Sequence, residues 1–346
     1  MPVPHTSKVA GLGVWGPVTF AVVLWSCSGQ GSEPSPTSTY SQTAITEWSV
    51  PWEGTRPRDP FVDQRGKVWF VGQQGGYLAV LDPGTGTFER FDLEPGAGPH
   101  NLIVDGQGAV WYTGNRSAHI GKRDPDTGQI RTYTMPDPSV RDPHTLICDQ
   151  SGHIWFTAQQ GNAVGRLTME TGEIRLIPVP TPRARPYGLV IDPRQRPWFT
   201  EFGANKLGTV DPATLTLQEV SLPRAEARPR RLAATSDGAI WYVDYAEGYL
   251  GRLDPDTKTV KEWPVPGGSN AHPYAMAADD RDRLWFVETG LHPNRLVGFD
   301  PQAGRFFNLT EIPSGGGTVR HMVFHPPTGT IWFGTDANTI GRAKVP

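Results

Sequence analysis

The chain has few cysteines, little net charge and no helical periodicity. Its two cysteines, Cys27 and Cys148 among 346 residues, are too few for a disulfide scaffold. Thirty-two basic against 35 acidic residues leave a formal charge of -3, which removes the global electrostatic case for nucleic acid. No long segment repeats apolar residues at helical spacing, and 40 glycines and 34 prolines interrupt helices, so a helical bundle is excluded. Disorder is excluded in turn, because 12 tryptophans supply enough apolar surface for the chain to order itself. The partner is therefore expected to be small or local, a small molecule or a peptide-like ligand, and the protein is expected to be a monomer.

Residues 1–43 follow different rules. Lys8 precedes the apolar run VAGLGVWGPVTFAVVLW, and LWSC ends at Cys27. This reads as a signal peptide, residues 1–27, with a lipoprotein-like box in which Cys27 becomes the lipidated mature N-terminus. Trp25 is unusual in such a box, and the run is also long enough to stay as a membrane anchor. Either way the rest of the chain is exported to the cell envelope and tethered to the membrane. SGQGSEPSPTSTYSQT, residues 28–43, is a polar tether with nothing to bury. Cys148, in TLICDQ, is then the remaining thiol and reads as a small buried hydrophobe rather than a nucleophile.

From residue 44 to 346 the chain repeats itself. A Trp recurs at 69, 111, 155, 198, 241, 285 and 332, with spacings of 42, 44, 43, 43, 44 and 47 residues. Each copy reads as four short strands, for example HTLICD, HIWFTA, AVGRLT and EIRLIPVP, separated by turns such as DQSG and METG. Four strands at this period predict an all-β, seven-bladed propeller of antiparallel blades. The last copy lacks a fourth strand, whereas AITEWSVP at 44–51 resembles the fourth strand VKEWPVP at 260–266. An N-terminal strand is therefore expected to complete the last blade and close the ring. The seven Trp are expected between blades, and the DPDTG and DGQG segments read as tight turns. The turns at Asp124–Gly128 and Asp254–Thr257 lack the ligand spacing of a calcium loop.

Inside this constant frame one position varies. Eleven residues before each Trp stand Arg58, His100, His144, Tyr187, Arg230, Tyr274 and His321. They begin each blade's first strand, so they should ring one mouth of the central channel and bind the ligand there. Three residues after each Trp stand Gly72, Gly114, Ala158, Glu201, Asp244, Glu288 and Thr335. Hairpin geometry puts these almost opposite the ring residues. Imidazoles act as bases near neutral pH, while Glu201 and Glu288 beside Asp244 are candidates for a hard cation or for pairing with Arg230. The same residues can also serve structure alone, as an Arg230–Asp244 ion pair and a Tyr187–Glu201 hydrogen bond.

The segment RPYGLVIDPRQRPWFTEFGANKLGTVD and the blade ending GEIRLIPVPTP resemble the streptogramin lyases, that is, the virginiamycin B lyase family, and the resemblance runs through all seven repeats. It implies ring opening of a cyclic depsipeptide by elimination at an ester, without water and with magnesium. It implies His321 as the general base and Asp336, in WFGTDANTIG, as a metal ligand, with Glu288 a further candidate. Two motifs depart from the family pattern. Its Glu-Pro-His motif is Val319, Arg320 and His321 here, and its substrate-contacting His in the sixth blade is Tyr274. An insertion, GLHPNR at 290–295, follows Glu288. Two other readings stay open: a non-catalytic binding module tethered to the envelope, and a metal-dependent hydrolase of the lactonase type.

Overall fold

A computed structural model of the chain describes residues Tyr40–Pro346, which form one compact unit. The signal peptide, Cys27 and most of the tether lie outside the described residues. Seven four-stranded antiparallel sheets follow one another, the first six spanning residues 57–92, 99–134, 143–178, 186–221, 229–264 and 273–311. The first strand of each sheet touches the first strands of both neighbours, and that of the seventh touches that of the first. The ring is closed, as the repeat implies. The only described helical turns are Gly268–Ala271 and Pro326–Thr328.

The seventh blade takes its first three strands from residues 319–344 and its fourth from Ile45–Ser49, which pairs antiparallel with Thr339–Lys344. Trp48 stacks on Trp332 with centroids 5.5 Å apart. The docked segment begins earlier than the expected tether boundary. Ser41 exchanges backbone hydrogen bonds with Phe307 and Leu309 at 2.8 and 3.2 Å, and buried Thr43 donates its backbone N–H to Thr310 at 2.8 Å. Residues 41–43 thus lie along blade six before the chain enters blade seven, because their backbone polar groups find partners on that sheet edge.

Each Trp sits in a core shared with the following blade. Trp69 packs with Leu102 and Tyr112, Trp155 with Leu189 and Phe199, and Trp332 with Val68 and Phe70 of blade one. Burying one such ring is worth about 4–6 kcal/mol of transfer free energy. The indole N–H is satisfied by a residue of the hairpin turn: Asp63, Asp105, Asp149, Asp192 and Asp279 accept it at 2.8–3.1 Å. The other oxygen of Asp105 accepts the turn N–H groups of Gln107 and Ala109 at 3.0 and 2.9 Å. One carboxylate therefore fixes both the turn and the ring that joins blades. In five blades the aromatic residue after the Trp lies over a third-strand glycine, whereas Ala79 and Val297 take that place in blades one and six; a Cβ on Gly165 would come within 2.0 Å of the Phe156 ring. Cys148 is partly buried, with Sγ 3.4 Å from Met169 Sδ, and burial pushes its thiol up to about 11.

Candidate functional site

At the start of every first strand the hairpin register slips. The residue three after each Trp pairs with the residue that precedes the ring position by one or two, Pro143 with Ala158 and Val319 with Thr335, and a bulge follows in each blade. Slipping a strand by one residue sends its side chains to opposite faces. The carboxylates therefore do not face the ring residues. Asp244 accepts Arg224 at 3.1 Å and the Arg228 N–H at 2.9 Å. Glu288 accepts Arg295 at 2.5 Å and the Gly267 N–H at 2.6 Å. Glu201 is fully buried with neither oxygen hydrogen-bonded; burial, then the neighbouring Glu219, raises its carboxyl to about 8.

In blades one, two, three and five the residue after the ring position also joins the polar network of the channel. These are Asp59, Asn101, Thr145 and Arg231. Asp59 accepts Arg58 Nε at 2.9 Å, Asn101 Nδ2 at 2.9 Å and Arg231 Nη2 at 3.4 Å. Arg231 also donates to the Arg320 carbonyl and to Thr145 Oγ1, both at 3.0 Å. These residues were not singled out from the sequence. Their signal was there: consecutive polar pairs, Arg58–Asp59, His100–Asn101, His144–Thr145 and Arg230–Arg231, interrupt otherwise apolar strands.

The ring residues themselves come together as a packed layer. The His100 and His144 centroids are 3.6 Å apart, those of His144 and Tyr187 4.1 Å, and the Tyr187 and Tyr274 hydroxyls hydrogen-bond. Threonines of three blades anchor the next blade's ring residue by its carbonyl: Thr113 to His144 at 3.2 Å, Thr157 to Tyr187 at 2.8 Å and Thr200 to Arg230 at 3.1 Å. Arg230 lies over four rings, Tyr274, Phe202, Tyr245 and Tyr187, at 4.0–5.0 Å. Burial first, and then nearby guanidinium groups, holds His100 and His144 well below the usual imidazole range.

His321 stands apart from this stack. It lines a cavity of about 460 Å³ with largely apolar walls, which runs from Asn101 and Thr145 toward the turn residue Asp280 and Pro326 at the far ends of the first strands. Its Nδ1 is enclosed without a hydrogen-bond partner. Burial, then Arg231, lowers its pKa to about 3, so the ring is neutral at neutral pH.

The expected metal ligands are engaged otherwise. Asp336 is ion-paired with Arg320, and Arg56 Nε lies 3.6 Å away. Glu288 is held by Arg295, and Val319 is fully buried in the apolar core between blades six and seven. Among the described residues no group of three or more His, Cys, Asp or Glu side chains is placed to hold a metal ion. This donor set does not fit a magnesium ion.

The virginiamycin B lyase family model matches residues 43–343. The chain belongs to that family. Three solved structures are similar to it. A streptogramin B lyase structure shares 26% identity at a TM-score of 0.78, covering 87% of this chain and 97% of that one. Selenomethionine-substituted virginiamycin B lyase from Staphylococcus aureus shares 25% identity at 0.80, covering 88% and 100%. A catalytically inactive histidine-to-alanine variant of the latter, solved with quinupristin, matches over the same shares, with 25% identity at 0.80. No curated protein matches the chain significantly.

Proposed function

We propose that the protein is a monomeric carbon–oxygen lyase that opens a cyclic depsipeptide, or a related cyclic ester, by elimination, with His321 as the base. The observation that carries this reading is His321 itself, a neutral imidazole with no hydrogen-bond partner on the wall of a cavity. Family membership supports it, as does the inactivity of a similar enzyme that lacks one histidine. In the step proposed, an imidazole nitrogen takes a proton from the carbon next to the one bearing the ester oxygen. The C–H pair becomes a C=C bond, the C–O bond breaks and a carboxylate departs. No water enters, so product and substrate have the same mass. Arg231, whose Nε donates to the carbonyl of Arg320 next to His321, is the cation nearest in the chain of contacts to offset the negative charge that develops. No step is routed through a metal.

A second reading, a non-catalytic binding module, is favoured by one observation: Asp336 and Glu288 are both neutralised by arginines. The deciding experiment incubates the purified protein with a type B streptogramin, with magnesium and with chelator, and follows it by liquid chromatography and mass spectrometry. A shifted peak of unchanged mass that His321→Ala abolishes supports the lyase. A product heavier by one water indicates a lactonase-type hydrolase, and an untouched substrate moves the assignment to binding. On the N-terminal sequence alone we also propose export and tethering to the envelope. A Cys27→Ser variant that partitions with membranes as the native chain does would overturn lipidation.

A further inference from the structure

The mouth of the channel formed by the ring residues carries more positive charge than its own residues neutralise. Three guanidinium groups converge there, Arg58, Arg230 and Arg231, and one carboxylate, Asp59, serves two of them. Arg230 makes no ion pair among the described residues; its neighbours are the four aromatic rings and the hydrogen-bonded hydroxyls of Tyr187 and Tyr274. The imidazoles of His100, His144 and His321 are neutral and add no charge of either sign. Two guanidinium nitrogens, Arg58 Nη2 and Arg230 Nε, are enclosed with no acceptor. Buried charge is ordinarily paired, and buried N–H groups ordinarily find an acceptor. Aromatic faces attract a cation but accept no in-plane N–H hydrogen bond from it. Arg58 and Arg231 meet on Asp59, and Arg231 and Arg230 lie 5.3 and 5.0 Å from the centre of the same Tyr187 ring, so the three guanidinium groups form one cluster. Arg230 is only partly buried, which leaves a way in.

We propose that this end of the channel binds an oxyanion, a carboxylate carried on a flat apolar body, between Arg58 and Arg230. The guanidinium forks supply planar donors matched to a carboxylate, and Phe202 and Tyr245 supply faces on which a flat group stacks. The site does not depend on the lyase reading: the anion binds whether or not any bond is broken. Where the lyase operates, the carboxylate it releases is of the same chemical class.

The test uses the full chain with benzoate as probe, benzamide as its uncharged isostere, and calorimetry at constant ionic strength. Benzoate binds saturably, one per chain, and at least about tenfold more tightly than benzamide, the factor expected of a charge-assisted hydrogen bond. A second readout is phenolate absorbance. Arg230, Arg231 and Arg58 outweigh burial and draw the Tyr187 hydroxyl below the usual tyrosine value, and Tyr274 and His144 are the other titratable groups against it. A bound anion opposes those arginines, so saturating benzoate moves this titration upward while benzamide leaves it in place. Arg230→Met removes benzoate binding; should that variant fail to fold, Arg230→Lys, which keeps the charge and loses the planar fork, weakens it at least about tenfold. Equal affinity for benzoate and benzamide on the native chain overturns the proposal, as does benzoate binding that survives loss of Arg230.

Discussion

Arg320 donates to Asp336 in blade seven, and Arg56 stands 3.6 Å from the same carboxylate oxygen. A guanidinium thus occupies the side of Asp336 that a cation would need. Magnesium or chelator should therefore leave the thermal unfolding midpoint unchanged, since a ligand that does not bind the folded state cannot stabilise it. Arg320→Ala should cost at most about 1 kcal/mol, because both partners are partly exposed to solvent. A clear rise in melting temperature with magnesium in the native chain would show that the pair opens to admit the ion.

Asp105 is asked to do two things at once, holding the turn after the first strand of blade two and accepting the Trp111 indole N–H at 2.8 Å. Asp105→Ala leaves a buried N–H without an acceptor and frees the turn, for a loss of roughly 2–4 kcal/mol. Asp105→Asn keeps one acceptor oxygen and should recover about half of that. Urea unfolding with an unchanged slope checks both values.

Much of this architecture was legible in the amino-acid order, and the reasons are local. A tryptophan every 42 to 47 residues, flanked by alternating apolar residues and Asp/Gly turns, leaves no other way to bury its rings. The closing strand was legible because WSVP and WPVP differ at one position. The site was legible only in part. His321 and the ring positions follow from counting back to each first strand, but the bulge that shifts register by one residue leaves no mark in hydrophobic spacing. That shift separates Glu201, Asp244 and Glu288 from the ring residues they were expected to face. It also brings Asp59 and Arg231 into the channel, and such pairing across blades is long-range information that strand periodicity does not carry.

Glu201 gives the protein a pH dependence of definite sign. Its carboxyl is raised from 4.5 to about 8 by burial and by Glu219, opposed by Lys206. The folded state therefore holds a proton that the unfolded chain has released. The stability from this group is complete below about pH 4.5 and is lost as pH rises toward 8, by up to about 1.4 kcal/mol per pH unit. Glu201→Gln keeps the shape without the titration. It should flatten that slope and make the protein more stable than the native chain at pH 9. Denaturation midpoints across this range decide it; parallel curves for the two proteins would place the proton elsewhere.

The closing strand supplies the last prediction, because its two parts contribute unequally. A chain starting at Ala44 loses the hydrogen bonds of Ser41 and Thr43 to blade six but keeps Ile45–Ser49. It should fold with a loss of roughly 1–3 kcal/mol. A chain starting at Val50 loses more than bonds. Glu47 no longer accepts the Ser314 and Thr339 hydroxyls at 2.6 Å each, and Trp332 loses its stacking partner. The edge of Thr339–Lys344 is then bare in a blade of three strands, open to pairing with other chains. This second chain should be recovered as aggregate, and a synthetic peptide of residues 40–52 added during refolding should restore soluble protein, since it supplies the missing strand without covalent connection. Soluble, cooperatively folding protein from the chain starting at Val50 would mean that the cores between blades hold the ring closed without the strand.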